Sequence, residues 1–586
     1  MEVRQKVDPV LIAIITNRMT AIAEEMAQTL MMTSRSGIFA EARDFVTAIF
    51  DKDARLITQS EFFPGFAGAL PHVLPPILEK FGDDIHDGDV FIENDPFYGN
   101  SHLPDLNIIK PMFWNGARQF WLCCKGHMAD IGGGGVAGYD LAATTVWDEG
   151  LVIPPIKLYE RGRLNRSLWD FILRNVRASE IVAGDIQCEV GGATIGERGL
   201  RRLLDQYGAD VIHTHLDEFF LATEREMRER ITAIPDGIYY GEKSVDNNVE
   251  DLDRPVAVRV RVVIDGSDVT LDFSESDPQT PRFMNSTDAF TKSMGTLTLF
   301  WIVNQSRSNY GSLRPIHFIN PKGTCVNVEF PGASTLATCS MAECIQEAIQ
   351  LALAPALPSL IPAPSGKLFF PMFSGVDPRT GKFFVNLDFF YRLTPSGGTD
   401  GYDGWELGGP AQELGKGRTP DVEITELTYP VRVLAYEETA DSAGAGKFRG
   451  GNGHVYRVQY LSDSEKGVVF GAGLSDFAVP KGLFGGEDPA PTTAVIQRGD
   501  GRVEAIPPNT GLNVKAGDVI TVHGMGGPGF GEPLERDVEL VRRDVRDGFV
   551  SLEKARRVYG VTFVPGTHEV DAAATERLRS RRLPTA

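Results

Sequence analysis

Asn94-Asp95-Pro96-Phe97-Tyr98-Gly99-Asn100-Ser101-His102-Leu103-Pro104-Asp105 leads into the apolar run Ile108 to Phe113. Asn115-Gly116, the second run Phe120-Trp121-Leu122-Cys123-Cys124 and His127-Met128-Ala129-Asp130 follow. The first dozen residues are dense in turn formers, which predicts a surface loop. Two apolar runs joined by Asn-Gly predict a β-hairpin. Each His-x-x-Asp pair borders this hairpin, and the second opens into Gly132-Gly133-Gly134-Gly135. Two imidazoles and at least one carboxylate therefore meet where strands end, a usual place for chemistry on a rigid scaffold.

Imidazole nitrogen with carboxylate oxygen suits zinc, manganese or iron, whereas thiolates would indicate a closed structural zinc site. Cys123 and Cys124 are adjacent and do not supply that closed pattern. The competing reading makes His102 a loop cap and His127 a hydrogen-bonded core histidine. His-x-x-Asp spacing alone leaves both readings open.

Working outward, Phe45 to Phe50 reads as a strand ending in Asp51-Lys52-Asp53, with Asp44 at its mouth, and Val90-Phe91-Ile92 reads as another. The expected product is a mixed sheet with helices packed on it. Before it, Asp8 and Pro9 form an N-cap and first turn, and Leu11, Ile15, Met19, Ile22, Met26 and Leu30 give the following helix one apolar face. A signal peptide is not expected, since Asn17 and Arg18 cut the apolar run short and no small-residue cleavage site follows. Between Ser167 and Arg230 the pattern is helical, and its arginines and glutamates read as a solvated face.

From Val256 the period changes to two, and Asp265-Gly266 turns into Val269 to Phe273, so a new domain is expected to begin near Pro235 to Arg254. Ser340-Met341-Ala342-Glu343 has capping-box spacing for a helix lined by Met341, Ile345, Ile349 and Leu353 and stopped by Pro355 and Pro358. Phe369 to Phe373 and Phe383 to Tyr391 resume β structure. The glycine-rich runs at 397–401, 444–453 and 524–531 match no phosphate-binding loop and read as tight turns and close backbone approaches. The fold class is thus multi-domain α+β, with mixed sheets, packed helices and a β-rich central and C-terminal part. The expected domains are an N-terminal α/β metal-site domain at 1–245, a β-rich domain with one helix at 246–430, and a β-rich domain with terminal helices at 431–586.

A chain of 586 residues with 42% hydrophobic content can bury several cores. A net charge of −21 disfavours nucleic-acid and anionic membrane surfaces, and no apolar run is long enough to span a bilayer. Six cysteines are too few for a disulfide scaffold, which points to a reducing cytoplasmic location.

A family resemblance adds to these readings. The chain resembles the B-type subunit of the hydantoinase and oxoprolinase family, itself related to the α-type subunits of acetone and acetophenone carboxylases. The resemblance covers nearly the full length. It rests on the 94–105 segment, on His127-Met128-Ala129-Asp130-Ile131-Gly132-Gly133 and on Arg43-Asp44-Phe45. It rests also on Asp441 to Gly446 with Arg449-Gly450-Gly451, and on Gly526 to Pro533 with Arg536-Asp537. The chain departs from the usual pattern at Met525, Pro528 and Asn100, the last at a position where glycine is common.

The resemblance implies the metal-binding catalytic subunit of a two-component, ATP-dependent amidohydrolase that opens a lactam, hydantoin or related cyclic amide. Asp44, His102, Asp105 and His127 would hold a divalent metal, zinc first, with manganese or iron also compatible. Asp130 is the rival fourth ligand, or a group that orients His127. ATP and magnesium would be bound by an A-type partner, doubled into an (αβ)2 heterotetramer. Neither Gly415-Lys416-Gly417 nor Gly446-Lys447-Phe448 makes a phosphate loop here. The alternatives are a subunit of an ATP-dependent ketone carboxylase and a non-catalytic assembly subunit with a structural metal. The chain is shorter than is usual for acetone-carboxylase α-type subunits, which favours amide hydrolysis.

Overall fold

The computed structural model describes the chain except for residues 1–6, 61, 247–253, 306–307, 392–393, 410–417, 472–476, 508 and 582–586. It is a multi-domain α+β protein with several separate sheets. The chain divides into two compact units: Met1–Glu242 with Ala257–Ala352 and Lys416–Arg418, and Lys243–Val256 with Leu353–Gly415 and Thr419–Ala586.

The first unit is built on a seven-stranded sheet. In chain order its strands are β1 (Phe45–Asp51), β2 (Leu56–Gln59), β3 (Val90–Glu93), β4 (Asp105–Trp114), β5 (Ala117–His127), β6 (Ile156–Glu160) and β7 (Arg163–Leu164). The spatial order is β2-β1-β5-β4-β3-β6-β7. Every pairing in it is antiparallel. The reason is local: β4 and β5 form the expected hairpin, and Asn115 and Gly116 take the positive φ values, 50° and 79°, that a two-residue turn demands. A parallel pairing occurs elsewhere in this unit, between β9 (Asp268–Asp272) and β10 (Ile316–Ile319), in the sheet where β8 (Val256–Asp265) and β9 form the second expected hairpin.

The helix Pro9–Thr33 starts where Asp8 accepts from the Val10 N–H, and it buries Ile15, Met19, Ile22, Met26 and Leu30. It packs on the long helix Ser179–Tyr207 through a stripe of small residues. A Cβ on Gly192, Gly196 or Gly199 would lie 2.2, 2.4 or 2.8 Å from Leu30, Met26 or Ile22 respectively. Close approach of the two helices thus depends on three glycines spaced four and three apart. No helix among the described residues is long and apolar enough to cross a membrane.

Two expectations are revised. Ser340 does not cap the helix Ala342–Leu353. It lies inside a buried π-helical turn, Ala337–Met341, that runs directly into that helix, so the chain is already coiled where a cap was expected. The strand expected over Phe383 to Tyr391 ends at Leu387 and becomes the 3-10 turn Phe389–Tyr391.

In the second unit a four-stranded sheet and a five-stranded sheet share a core of Phe369, Phe373, Tyr456, Val458, Ile496 and Val522, among others. The glycine-rich runs interlock backbone against backbone. The Gly444 N–H donates to the Gly527 carbonyl at 2.8 Å, the Gly527 N–H to Gly451 at 2.9 Å, and the Gly451 N–H to Ser396 at 3.0 Å. A Cβ on Gly450 would sit 1.9 Å from the Gly527 oxygen, so these glycines serve close packing of loops, as expected.

Candidate metal centre

Register places the site. Asp105 opens β4 directly opposite His127, which closes β5, and Asn107 lies opposite Lys125. One strand further, Glu93 is paired with Asn107. Continuing the Phe45–Gly126 pairing by one residue sets Asp44 opposite His127, and the His127 N–H donates to the Asp44 carbonyl at 3.1 Å. Side chains directly opposite one another share a face. Asp44, His127 and Asp105 therefore form a row across three strands, with Lys125, Asn107 and Glu93 as a second row beside it.

His102 arrives from the loop that precedes β4. Its Nε2 lies 2.9 Å from Asp105 Oδ1 and 3.3 Å from His127 Nδ1, and the His127 and Asp105 atoms are 3.4 Å apart. All three residues are buried. Donors held about 2.0–2.1 Å from a tetrahedral ion lie about 3.3 Å from each other, so the triangle has the size of a metal's ligand face. Asp44 stands beside this trio, outside the 4.8 Å that encloses its three donor atoms. Its charge reaches the Tyr139 phenol and the Cys339 thiol.

The protonation pattern makes the stronger argument. His102 Nδ1 is 2.9 Å from the Thr335 carbonyl oxygen, which can only accept, so Nδ1 carries the proton. In the neutral ring Nε2 then presents a lone pair to a carboxylate oxygen. That arrangement is repulsive unless a cation, either a second proton or a metal ion, sits among the three atoms. Among the described residues His127 Nε2 is buried without a hydrogen-bond partner, a further sign that this group is not a self-sufficient hydrogen-bonded core. Burial alone would raise the Asp105 carboxyl. The His102 charge and hydrogen bonds from His102 and His127 overcome it and hold Asp105 far below the usual carboxylate range. The residues fit a divalent ion of the kind that binds nitrogen and oxygen together.

Asn100 organises the loop. Its amide nitrogen lies against the carbonyls of Asn94, His102 and Asp105, and its Oδ1 accepts from Lys125 Nζ at 2.5 Å, Asn107 Nδ2 at 3.1 Å and the Ser101 N–H at 2.9 Å. The Ser101 hydroxyl donates to the other Asp105 oxygen. Burial lowers the Lys125 ammonium and raises Glu93 well above its ordinary value, while the two charges partly offset these effects in each other.

Asp130 is placed differently. Its carboxylate accepts from Gly132 N–H at 3.0 Å, Ala178 N–H at 3.0 Å, the Arg177 N–H and the Arg177 guanidinium at 2.8 Å; His127 is not among its partners. It ties the glycine run to the start of the helix Ser179–Tyr207. Three residues that sequence reasoning missed complete the surroundings. The Tyr139 ring stacks on His127 at 5.6 Å, and its hydroxyl lies 3.8 Å from Cys339 Sγ. The Thr338 hydroxyl is 3.4 Å from both His102 nitrogens. Burial pushes the Cys339 thiol up to about 12 and Tyr139 well above its usual value, so both keep their protons. Thr338 and Cys339 come from the π-helical turn, an element common at functional sites but without a local sequence signal here.

Comparison with known proteins adds likeness over nearly the whole chain. The family model for hydantoinase B/oxoprolinase matches residues 8–533. The chain is 33% identical to the beta subunit of the caprolactamase of Pseudomonas jessenii over 98% of this chain and 99% of that protein. It is 31% identical to the B subunit of a putative D-/L-hydantoinase of Pseudomonas sp. (strain NS671), covering 98% of each. The crystal structure of the ATP-dependent caprolactamase from Pseudomonas jessenii superimposes with a TM-score of 0.91 at 32% identity, covering 98% of this chain and 100% of that one. A sheet register that gathers two histidines and their carboxylates, together with likeness over essentially the whole length, leads to one conclusion: this chain belongs to the hydantoinase B/oxoprolinase family.

Proposed function

We propose that this chain is the metal-binding catalytic subunit of a two-component, ATP-dependent amidohydrolase that opens a lactam, hydantoin or related cyclic amide. The observation that carries the reading is the buried triangle of His102 Nε2, Asp105 Oδ1 and His127 Nδ1, whose edges of 2.9, 3.3 and 3.4 Å match the ligand face of a metal ion. Family membership and the cyclic-amide activities named for its relatives support it.

His102, Asp105 and His127 would hold the metal, with Asp44 as the fourth ligand at the end of the same cross-strand row. Zinc is favoured, and manganese and iron suit the same donors. When bound, such an ion supplies Lewis-acid polarisation of a carbonyl and lowers the pKa of water toward neutrality. The chain's own residues do the rest. Thr335 fixes the tautomer of His102, and Ser101 fixes Asp105 so that Oδ1 faces inward. Tyr139 and Thr338 offer hydroxyl donors beside the ligands, and burial of the whole group excludes bulk water. A planar amide is a poor electrophile, so energy from ATP has to enter; ATP and magnesium are assigned to an A-type partner in an (αβ)2 heterotetramer in the cytoplasm.

The test pairs metal analysis with turnover. Co-expression with the A-type partner and a screen of lactams, hydantoins and ketones, with and without ATP and bicarbonate, is expected to give an ATP-dependent ring-opened acid. Asp44→Ala is expected to lose metal and Asp130→Ala to keep it. Stoichiometric metal in both His102→Ala and His127→Ala, or ring opening at full rate without nucleotide, would overturn the proposal.

A further inference from the structure

Glu149 ends the short helical turn Val146–Glu149 and is completely buried, and no cation pairs with it among the described residues. The turn is joined to the segment before the π-helical coil: Thr145 bridges Gly332, and the Val146 N–H donates to the Pro331 carbonyl at 2.8 Å. On that segment one Glu149 oxygen, Oε1, accepts from the Ser334 N–H at 2.7 Å, the Thr335 N–H at 2.6 Å and the Thr335 hydroxyl. Thr335 in turn offers its carbonyl to His102 Nδ1.

We infer that Glu149 is a positioning residue for the metal centre: by clamping Thr335 from two sides it fixes the carbonyl that keeps His102 protonated on Nδ1 and leaves Nε2 to coordinate. The inference rests on the metal-centre reading above and extends it to a group that touches no ligand atom. Partners that orient a ligating imidazole govern metal affinity as well as geometry. A buried carboxylate is a costly way to hold a loop, since burial pushes Glu149 up to about 7 against the three hydrogen bonds that lower it. What it supplies in exchange is one oxygen that binds three donors at once. Without it, two backbone N–H groups are orphaned and the Thr335 carbonyl loses its anchor.

The experiment uses the full-length chain with 15N-labelled histidine and compares wild type with Glu149→Ala, Glu149→Gln and Thr335→Val. Cobalt(II) affinity is measured by chelator competition. The His102 ring tautomer is read from its 15N shifts in metal-free protein, with the signal identified by its loss in His102→Asn. Glu149→Ala is expected to weaken cobalt binding about 10–100-fold and to populate the Nε2–H tautomer of His102. Glu149→Gln, whose amide oxygen accepts the same three donors, is expected to stay within about threefold of wild type, and Thr335→Val to fall between. A folded Glu149→Ala with wild-type affinity and tautomer overturns the inference, and so does Glu149→Gln as weak as Glu149→Ala. If Glu149→Ala does not fold, Thr335→Val decides, and wild-type behaviour there overturns the inference. Wild-type protein that binds no cobalt would sink the metal reading instead, while the tautomer comparison would still judge Glu149.

Discussion

Two buried clusters of charge, one in each unit, look alike in composition and differ in where their protons sit. In the second unit Arg536, fully buried, donates to Asp403 at 2.6 and 2.7 Å and to Asp544 at 2.7 Å, while Arg449 reaches Asp544 at 3.3 Å and Glu406 at 3.1 Å. Every contact there sets a donor against an acceptor. In the first unit two imidazole nitrogens crowd one carboxylate oxygen, His102 Nε2 at 2.9 Å and His127 Nδ1 at 3.4 Å, and among the described residues the other His127 nitrogen is buried without a hydrogen-bond partner. The arginine cluster is complete by itself and holds the glycine-rich loops together. The histidine cluster calls for a cation among its three donors, either a second proton or the proposed metal ion.

The same contrast appears in single carboxyls. Asp105 and Asp388 are both buried, yet neighbouring histidines hold Asp105 low, whereas burial raises Asp388 to about 7 against the Tyr456 hydroxyl at 3.0 Å and the Phe390 N–H.

The largest effect expected from this comparison is in the complete cluster. Arg536→Ala leaves Asp544 with Arg449 and Asp403 with the Arg449 N–H as remaining donors, and should cost about 3–5 kcal/mol in denaturant unfolding of the second unit while metal per folded chain stays at the wild-type level. Loss of metal in that variant would erase the distinction between the two clusters. Next, His102→Ala or His127→Ala should reduce turnover more than about 100-fold, beyond the cost of losing a supporting partner, with a smaller change in unfolding free energy. Turnover within tenfold of wild type would return these histidines to a structural role.

A third expectation concerns pH. The folded pKa of Asp388 is raised, so its contribution to stability is fully present below the unfolded value, about 3.9, and is lost as pH rises toward about 7. Asp388→Asn should remove that slope and gain about 2 kcal/mol relative to wild type at pH 8; parallel stability curves for the two proteins would contradict it. The smallest effect is expected for Asn100→Gly. It unpairs Lys125 and frees the 94–105 loop, at about 1–2 kcal/mol in stability together with weaker metal retention during dialysis against chelator. Unchanged retention would show that Asn100 supports the loop but not the ligands.

Local sequence determined much of this molecule. Asn115-Gly116 can only turn tightly, so the β4–β5 hairpin was legible, and with it the meeting of the 102–105 and 127 segments. Period-two valines predicted β8, and Asp8-Pro9 with an apolar face predicted the first helix. The motif match around Arg43-Asp44-Phe45 drew attention to Asp44, and the β1–β5 pairing then set it opposite His127. Asp130 shows the limit. Its spacing from His127 repeats that of Asp105 from His102, yet its partner is Arg177, 47 residues on. Spacing reports proximity along the chain; a carboxylate's role depends on which donors packing brings to it. Glu149, Thr335 and Thr338 were illegible for the same reason, because they meet His102, directly or through Thr335, across separations of 47 to 236 residues in the chain, and Cys339 meets Tyr139 across 200, with no period or cap to announce them. Sequence set the strands, the turn and the donor types; only tertiary packing decided which lone pairs face each other, since that depends on the orientation of side chains drawn together from distant segments.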